Sequence, residues 1–239
     1  MSQPQSIRPA DHFLAVFLVD QPRNSSEPAS PVEHLGTGFF VAPGIFVTCW
    51  HCVREQPPAG QTYAVCVFEA AGPRAYYLRD IERDRNGSDI ATARCDYAPS
   101  SLPALGSDAL TYGANVWSFG YPFPERRPVF AGPTAHVING RMLRGYVTRH
   151  CWHDVPGVGR REVYELDMKA PEGLSGAPLM MTETHTVYGI LIAENSIEMG
   201  RVVSFAIAHD TATLRNVTTA LTDGVPLSQY LDQQQGVGA

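Results

Sequence analysis

Residues Gly36–Val53 read GTGFFVAPGIFVTCWHCV. Two short apolar runs flank Pro43-Gly44, and the second run ends in His51. Phe39, Phe40 and Val41, then Ile45, Phe46 and Val47, favour extended backbone, while Pro-Gly is turn chemistry, so the stretch predicts two strands joined by a tight turn. The same grammar recurs outward from it. Strand-like runs fall at Gly38–Val41, Ile45–Cys49, Tyr63–Phe68, Ile90–Cys95, Asn115–Phe119, Arg144–Thr148, Glu162–Met168, Ala177–Met181, Val187–Ala193 and Val202–Ile207, each bounded by Gly, Pro, Asn or Asp. His12–Val19 alternates loosely and reads as a first strand, and Asp20–His34, rich in Pro and Ser, as an exposed connection. Many short strands divided by 21 Gly and 19 Pro predict an all-β sandwich or barrel rather than βαβ units. Helical spacing appears mainly at Asp210–Thr222, through Leu214, Val217 and Leu221; Asp232–Ala239 reads as a loose tail or linker.

With 44% hydrophobic and 18% charged residues, the 239-residue chain has material for a substantial core. A formal charge of −6 weighs against a nucleic-acid partner or an anionic membrane. The N-terminus has no secretory pattern, and the five cysteines (Cys49, Cys52, Cys66, Cys95, Cys151) are an odd number with no clean disulfide framework. A cytoplasmic location with five free thiols is therefore expected. Cys49-Trp-His51-Cys52 lacks the second ligand pair of a zinc finger, and His150 and His153 around Cys151-Trp152 read as a loop or strand edge, so no metal or other cofactor is expected.

Three segments carry chemistry: the one ending at His51, Ser88-Asp89-Ile90-Ala91, and Glu172-Gly-Leu-Ser175-Gly-Ala-Pro178. A serine hydroxyl needs a base within hydrogen-bond reach, and histidine suits that role near neutral pH. A buried carboxylate fixes the imidazole tautomer and stabilises the imidazolium. Glycines around Ser175 let the backbone turn so that the N–H groups of Gly173 and Ser175 point at one developing oxyanion. Asp80, Asp84 and Asp96 lack the context of Asp89 and read as solvated loop charges.

The order His, Asp, Ser and the text around each resemble the trypsin-like serine peptidases. Val-Thr-Cys-Trp-His51 is similar to the family's Thr-Ala-Ala-His, Ser-Asp89-Ile-Ala to its Asp-Ile-Ala, and Gly-Leu-Ser175-Gly-Ala-Pro to its Gly-Asp-Ser-Gly-Gly-Pro. Phe119-Gly-Tyr-Pro, Tyr188-Gly-Ile190 and Ser204-Phe-Ala-Ile207 look more like the bacterial HtrA-type branch than the digestive enzymes. The resemblance implies two antiparallel six-stranded β-barrels with a short C-terminal helix, and endopeptidase chemistry with His51, Asp89 and Ser175 as triad. It implies a peptidase domain at 12–231, its barrels divided near 100–115, an extension at 1–11 and a flexible tail or linker at 232–239. Protein or peptide is the implied substrate. Ile192, Ala193 and Glu194 fall where the family's substrate-pairing strand runs. Lys169 stands at the offset of the primary specificity residue, where it would favour acidic side chains or, if turned outward, leave a small apolar pocket. Leu174 replaces the Asp that pairs with a freshly cut N-terminus in animal enzymes, so activation by such trimming is not expected. Alternatives are a peptide-binding or regulatory module with a misassembled triad, and an esterase. A cytoplasmic protease needs restraint, and a regulatory protein partner in a bacterial stress or defence system would switch it on.

Overall fold

The alternation of β-branched and aromatic residues with turn signals puts most of the backbone into strands. The structure, a computed structural model, describes residues 12–21, 29–53, 56–69, 72–123, 125–127, 135–182, 184, 186–198 and 202–236. The first barrel comprises β1 (Phe13–Asp20), β2 (Ser30–Ala42), β3 (Ile45–Cys49), β4 (Gln61–Glu69), β5 (Gly72–Arg83) and β6 (Ile90–Cys95). These close in the order β1-β2-β3-β6-β5-β4, with antiparallel neighbours. After β7 (Asn115–Gly120), a small two-stranded sheet intervenes, formed by β8 (Glu125–Arg127) and β9 (Ala135–Val137). The second barrel closes through β10 (Arg141–Val155), β11 (Gly159–Leu166), β14 (Val202–His209), β13 (Val187–Glu198), β12 (Pro178–Met181) and β7. The expected two six-stranded barrels are present.

Each barrel is filled by its inward-facing residues. Phe13, Phe39, Phe40, Phe46 and Ile90 fill the first, with Phe40 and Phe46 edge-to-face at 5.1 Å between centroids. Tyr164, Leu166, Leu174, Leu179 and Leu191 fill the second. Burying each such side chain contributes about 1.5–3 kcal/mol. The chain end returns to the first barrel, where Leu214, Val217 and Leu227 join its core.

Departures from the sequence reading have local causes. β5 carries Arg74, Arg79, Asp80, Glu82 and Arg83 and buries only Leu78 fully, so composition hid it. Ser30–His34, read as connection, extends β2; residues 22–28 lie outside the described residues. The helix expected over Asp210–Thr222 is two short pieces: α1 (Thr211–Arg215), whose N-terminus Asp210 caps by accepting Thr213 N–H at 2.9 Å, and a 3-10 turn at Ala220–Thr222. A terminal helix, α2 (Leu227–Gly236), runs through the Gln-rich stretch expected to be loose. Glutamine is a good helix former, and Tyr230 and Leu231 pack against the core. Among the described residues no helix is long and apolar enough to cross a membrane.

All five cysteines are free thiols. Alkylation of denatured but unreduced protein, read by mass spectrometry, is expected to modify all five; a stoichiometric disulfide at Cys52 would contradict this.

Candidate active site

β3 and β6 pair antiparallel up to Cys49 opposite Ile90, and the Trp50 N–H to Asp89 carbonyl bond, 2.9 Å, extends the ladder by one step. That register puts His51, on the 3-10 turn Trp50–Cys52, beside Asp89. Asp89 is buried, and both carboxylate oxygens meet His51: Oδ1 accepts its backbone N–H at 3.0 Å, and Oδ2 lies 2.5 Å from Nδ1. A buried carboxylate is tolerated when so paired. Burial opposes charge on the imidazole, but the bond to Asp89 and the neighbouring Cys52 outweigh it and hold the pKa up to about 10. The His51 side chain keeps 37% of its surface exposed. Burial, then the Asp89 charge, pushes the Cys49 thiol far up, so Cys49, which donates to the Leu191 carbonyl at 3.1 Å, is no nucleophile.

Asp84 is a correction to the sequence reading. It is buried, not solvated: Oδ2 accepts the Ser88 hydroxyl at 2.7 Å, and Oδ1 accepts Thr218 N–H at 3.0 Å and Asn86 N–H at 3.2 Å. It fixes the turn that delivers Asp89. Asp80 and Asp96 are exposed and pair with Arg94 and Arg79.

Ser175 sits on the turn before β12. Gly173 and Gly176 on either side have φ of 95° and 87°, where a side chain is strained. A Cβ on Gly176 would also fall 2.1 Å from the Thr37 carbonyl oxygen. Gly176→Ala should therefore destabilise the fold by more than about 3 kcal/mol in urea unfolding; a loss under about 1 kcal/mol would contradict this placement.

The first barrel grips this turn through Thr37, which is fully buried. Its Oγ1 donates to the Gly173 carbonyl at 2.8 Å and accepts Tyr121 N–H at 3.3 Å, while its N–H donates to the Ser175 carbonyl at 2.8 Å. Leu174 is fully buried in the second barrel's core, so apolar packing anchors the turn where animal enzymes use an ion pair. The Glu172 carbonyl accepts Phe123 N–H at 3.4 Å. The N–H groups of Gly173 and Ser175 donate to no described residue.

The Ser175 hydroxyl donates to the Ile192 carbonyl at 2.8 Å, and no hydrogen bond joins it to His51. A register shift between Leu191 and Ala193 takes that carbonyl out of the β13–β14 ladder. Ala193 and Glu194 continue β13 opposite Ile207 and Ala206. Lys169 is exposed between buried Met168 and Ala170, unlike a charge sealed in a pocket floor.

Among the described residues, two groups have donor atoms within 4.8 Å of one another: Cys49, His51 and Asp89, and His150, Glu162 and Asp210. The first is the His51–Asp89 pair with Cys49 beside it. In the second, on β10, β11 and just past β14, His150 Nε2 is 3.0 Å from Asp210 and 3.9 Å from Glu162, and Asp210 is also the α1 cap. Thr37, Asp84 and His209, whose Nε2 accepts Asp89 N–H at 3.2 Å, escaped the sequence reading. Thr37 looks like any β-branched strand residue, Asp84 like any turn aspartate, and His209 lacks ligand spacing.

The profile of the trypsin-like peptidase domain matches residues 36–190. No curated protein matches the sequence. Among solved structures, the active form of the Rv3671c protease from M. tuberculosis superposes with TM-score 0.58 at 18% identity, covering 85% of this chain and 77% of that one. Deg5 gives 0.56 at 16%, covering 85% of each. The HtrA-type protease AlgW, solved with a decapeptide, gives 0.61 at 14%, covering 93% of this chain and 65% of that one. At these identities the likeness is one of fold, but the family match spans both barrels and all three chemical segments. The chain belongs to the trypsin-like peptidase family, and by that membership it is a serine endopeptidase.

Proposed function

We propose that the chain cleaves peptide bonds through an acyl-enzyme with Ser175 as nucleophile, His51 as general base and Asp89 as the acid that orients it. The 2.5 Å contact of His51 Nδ1 with Asp89 carries the reading: with the backbone bond at 3.0 Å it spends both carboxylate oxygens on one residue, and it leaves the other imidazole nitrogen for the serine. Ser175 Oγ attacks the scissile carbonyl and passes its proton to His51; the Gly173 and Ser175 N–H groups receive the oxyanion. His51 then gives that proton to the leaving amine, and a water, deprotonated by His51, releases the acid. An extended peptide laid along β13 would meet the backbone of Ile192, Ala193 and Glu194. AlgW was solved with a decapeptide, which supports a peptide ligand for this fold.

The Ile192 carbonyl has two suitors. In the free chain it holds the Ser175 hydroxyl; a substrate N–H bound there would displace that hydroxyl toward His51. The parked hydroxyl is also what favours the second reading, a binding or regulatory module, and it is the feature that a regulatory partner in a stress or defence system would reverse. Unpaired thiols support a cytoplasmic setting. Buried Met168 and Ala170 beside exposed Lys169 favour a small apolar specificity pocket over an acidic preference.

Digestion of a peptide library, with Lys169→Ala alongside, tests this. Cuts after Val, Ala or Leu, unchanged in the variant, are expected. Cuts after Asp or Glu that vanish in the variant would restore Lys169 to the pocket. Ester hydrolysis without peptide cleavage would favour an esterase, and no turnover of either the module.

A further inference from the structure

Among the groups the proposed chemistry leaves unused, the most deeply placed is an imidazole. His209 ends β14 in the second barrel and is 0% exposed. Its Nε2 accepts the backbone N–H of Asp89, which belongs to the first barrel and lies 120 residues earlier. The β3–β6 ladder does not use that N–H, so without His209 a buried donor at the root of Asp89 would be left bare. We propose that His209 is a positioning residue that locks Asp89 from across the barrel interface and so sets the angle at which the carboxylate meets His51; this rests on the triad reading above.

The chemistry of the ring fits the role. To accept from Asp89, Nε2 must be bare, which puts the proton on Nδ1; that Nδ1 finds no partner among the described residues. The unpartnered Nδ1 carries a desolvation cost, and the bond from Asp89 N–H to Nε2 offsets it. The nitrogen that is satisfied is the one that touches Asp89. Burial pushes the His209 pKa down to about 4, against the pull of Asp89, Asp210 and Asp84 and with the push of Arg161. The ring therefore stays neutral, and a steady acceptor, across the range in which a protease works. Protonation would set an N–H against an N–H and break the lock. Because the unfolded histidine takes up a proton near 6.5, this buried ring contributes stability above that pH, and the contribution is lost as pH falls toward 4.

The test compares His209→Gln, whose side-chain oxygen reaches the place of Nε2, with His209→Asn, which is too short, and His209→Leu, which cannot accept. His209→Gln is expected to keep most of the wild-type rate. His209→Asn and His209→Leu should lose roughly 10- to 100-fold in kcat with KM little changed, the scale of effect of a small misplacement. The low-field proton resonance of His51 Nδ1–H, which does not depend on turnover, should persist in His209→Gln and shift or vanish in the other two. Equal kcat and an unmoved resonance in His209→Asn would overturn the proposal. So would a Gln variant as impaired as the Asn variant, which would mark a packing role only. If His209→Leu fails to fold, the Gln–Asn pair decides alone. Failure of the triad reading shows separately, as activity that survives Ser175→Ala while the resonance still answers to His209.

Discussion

Ser175→Ala is expected to lower kcat by about five to six orders of magnitude, to the residual that positioning and the two N–H donors supply. The fold should persist. The lost hydroxyl makes one hydrogen bond, to the Ile192 carbonyl, and the turn keeps Thr37, Leu174 and the Gly176 N–H to Leu191 carbonyl bond of 2.8 Å. The cost to stability should stay near 1 kcal/mol. Steady-state kinetics on a cleaved peptide beside urea unfolding separates the two effects. A variant retaining more than roughly a tenth of the wild-type rate would remove Ser175 from the nucleophile's place.

Asp89→Asn should cost about four orders of magnitude in kcat, because an amide no longer enforces the tautomer or stabilises the imidazolium. Its pH signature is more telling. In the wild type His51 holds its proton up to about 10, so kcat/KM should rise with pH through a limb far above the ordinary histidine range. Removing the carboxylate should bring that limb down toward ~6.5. The sign for stability is opposite to that of a carboxylate. The raised His51 pKa stabilises the folded chain below about 6.5, and that contribution is lost as pH rises through about 10. An acid limb that does not move in Asp89→Asn would mean that Asp89 does not face the catalytic base.

The fold and the three candidate residues could be picked out in the sequence because each is announced locally. Ile45–Cys49 and Ile90–Cys95 read as strands from their own residues, and the register between them brings His51 to Asp89. What sequence could not announce is contact between distant segments. Thr37 reaches Gly173 136 residues away, and His209 reaches Asp89 across 120; neither spacing has a local signature. β5 was hidden because a strand with one exposed face tolerates charge, and α2 because Gln-rich sequence becomes helical only when Leu227 and Leu231 have a core to cover. The direction of the Ser175 hydroxyl depends on a backbone carbonyl that carries no residue identity at all.

The central claim is that Ser175 is a nucleophile activated by His51. Treating the intact chain with a fluorophosphonate and mapping the adduct by peptide mass spectrometry tests it directly, with no substrate assumed. One phosphonyl group on Ser175, absent in His51→Ala, is the predicted result. An unlabelled Ser175 in a folded chain, or labelling that survives the loss of His51, would contradict it.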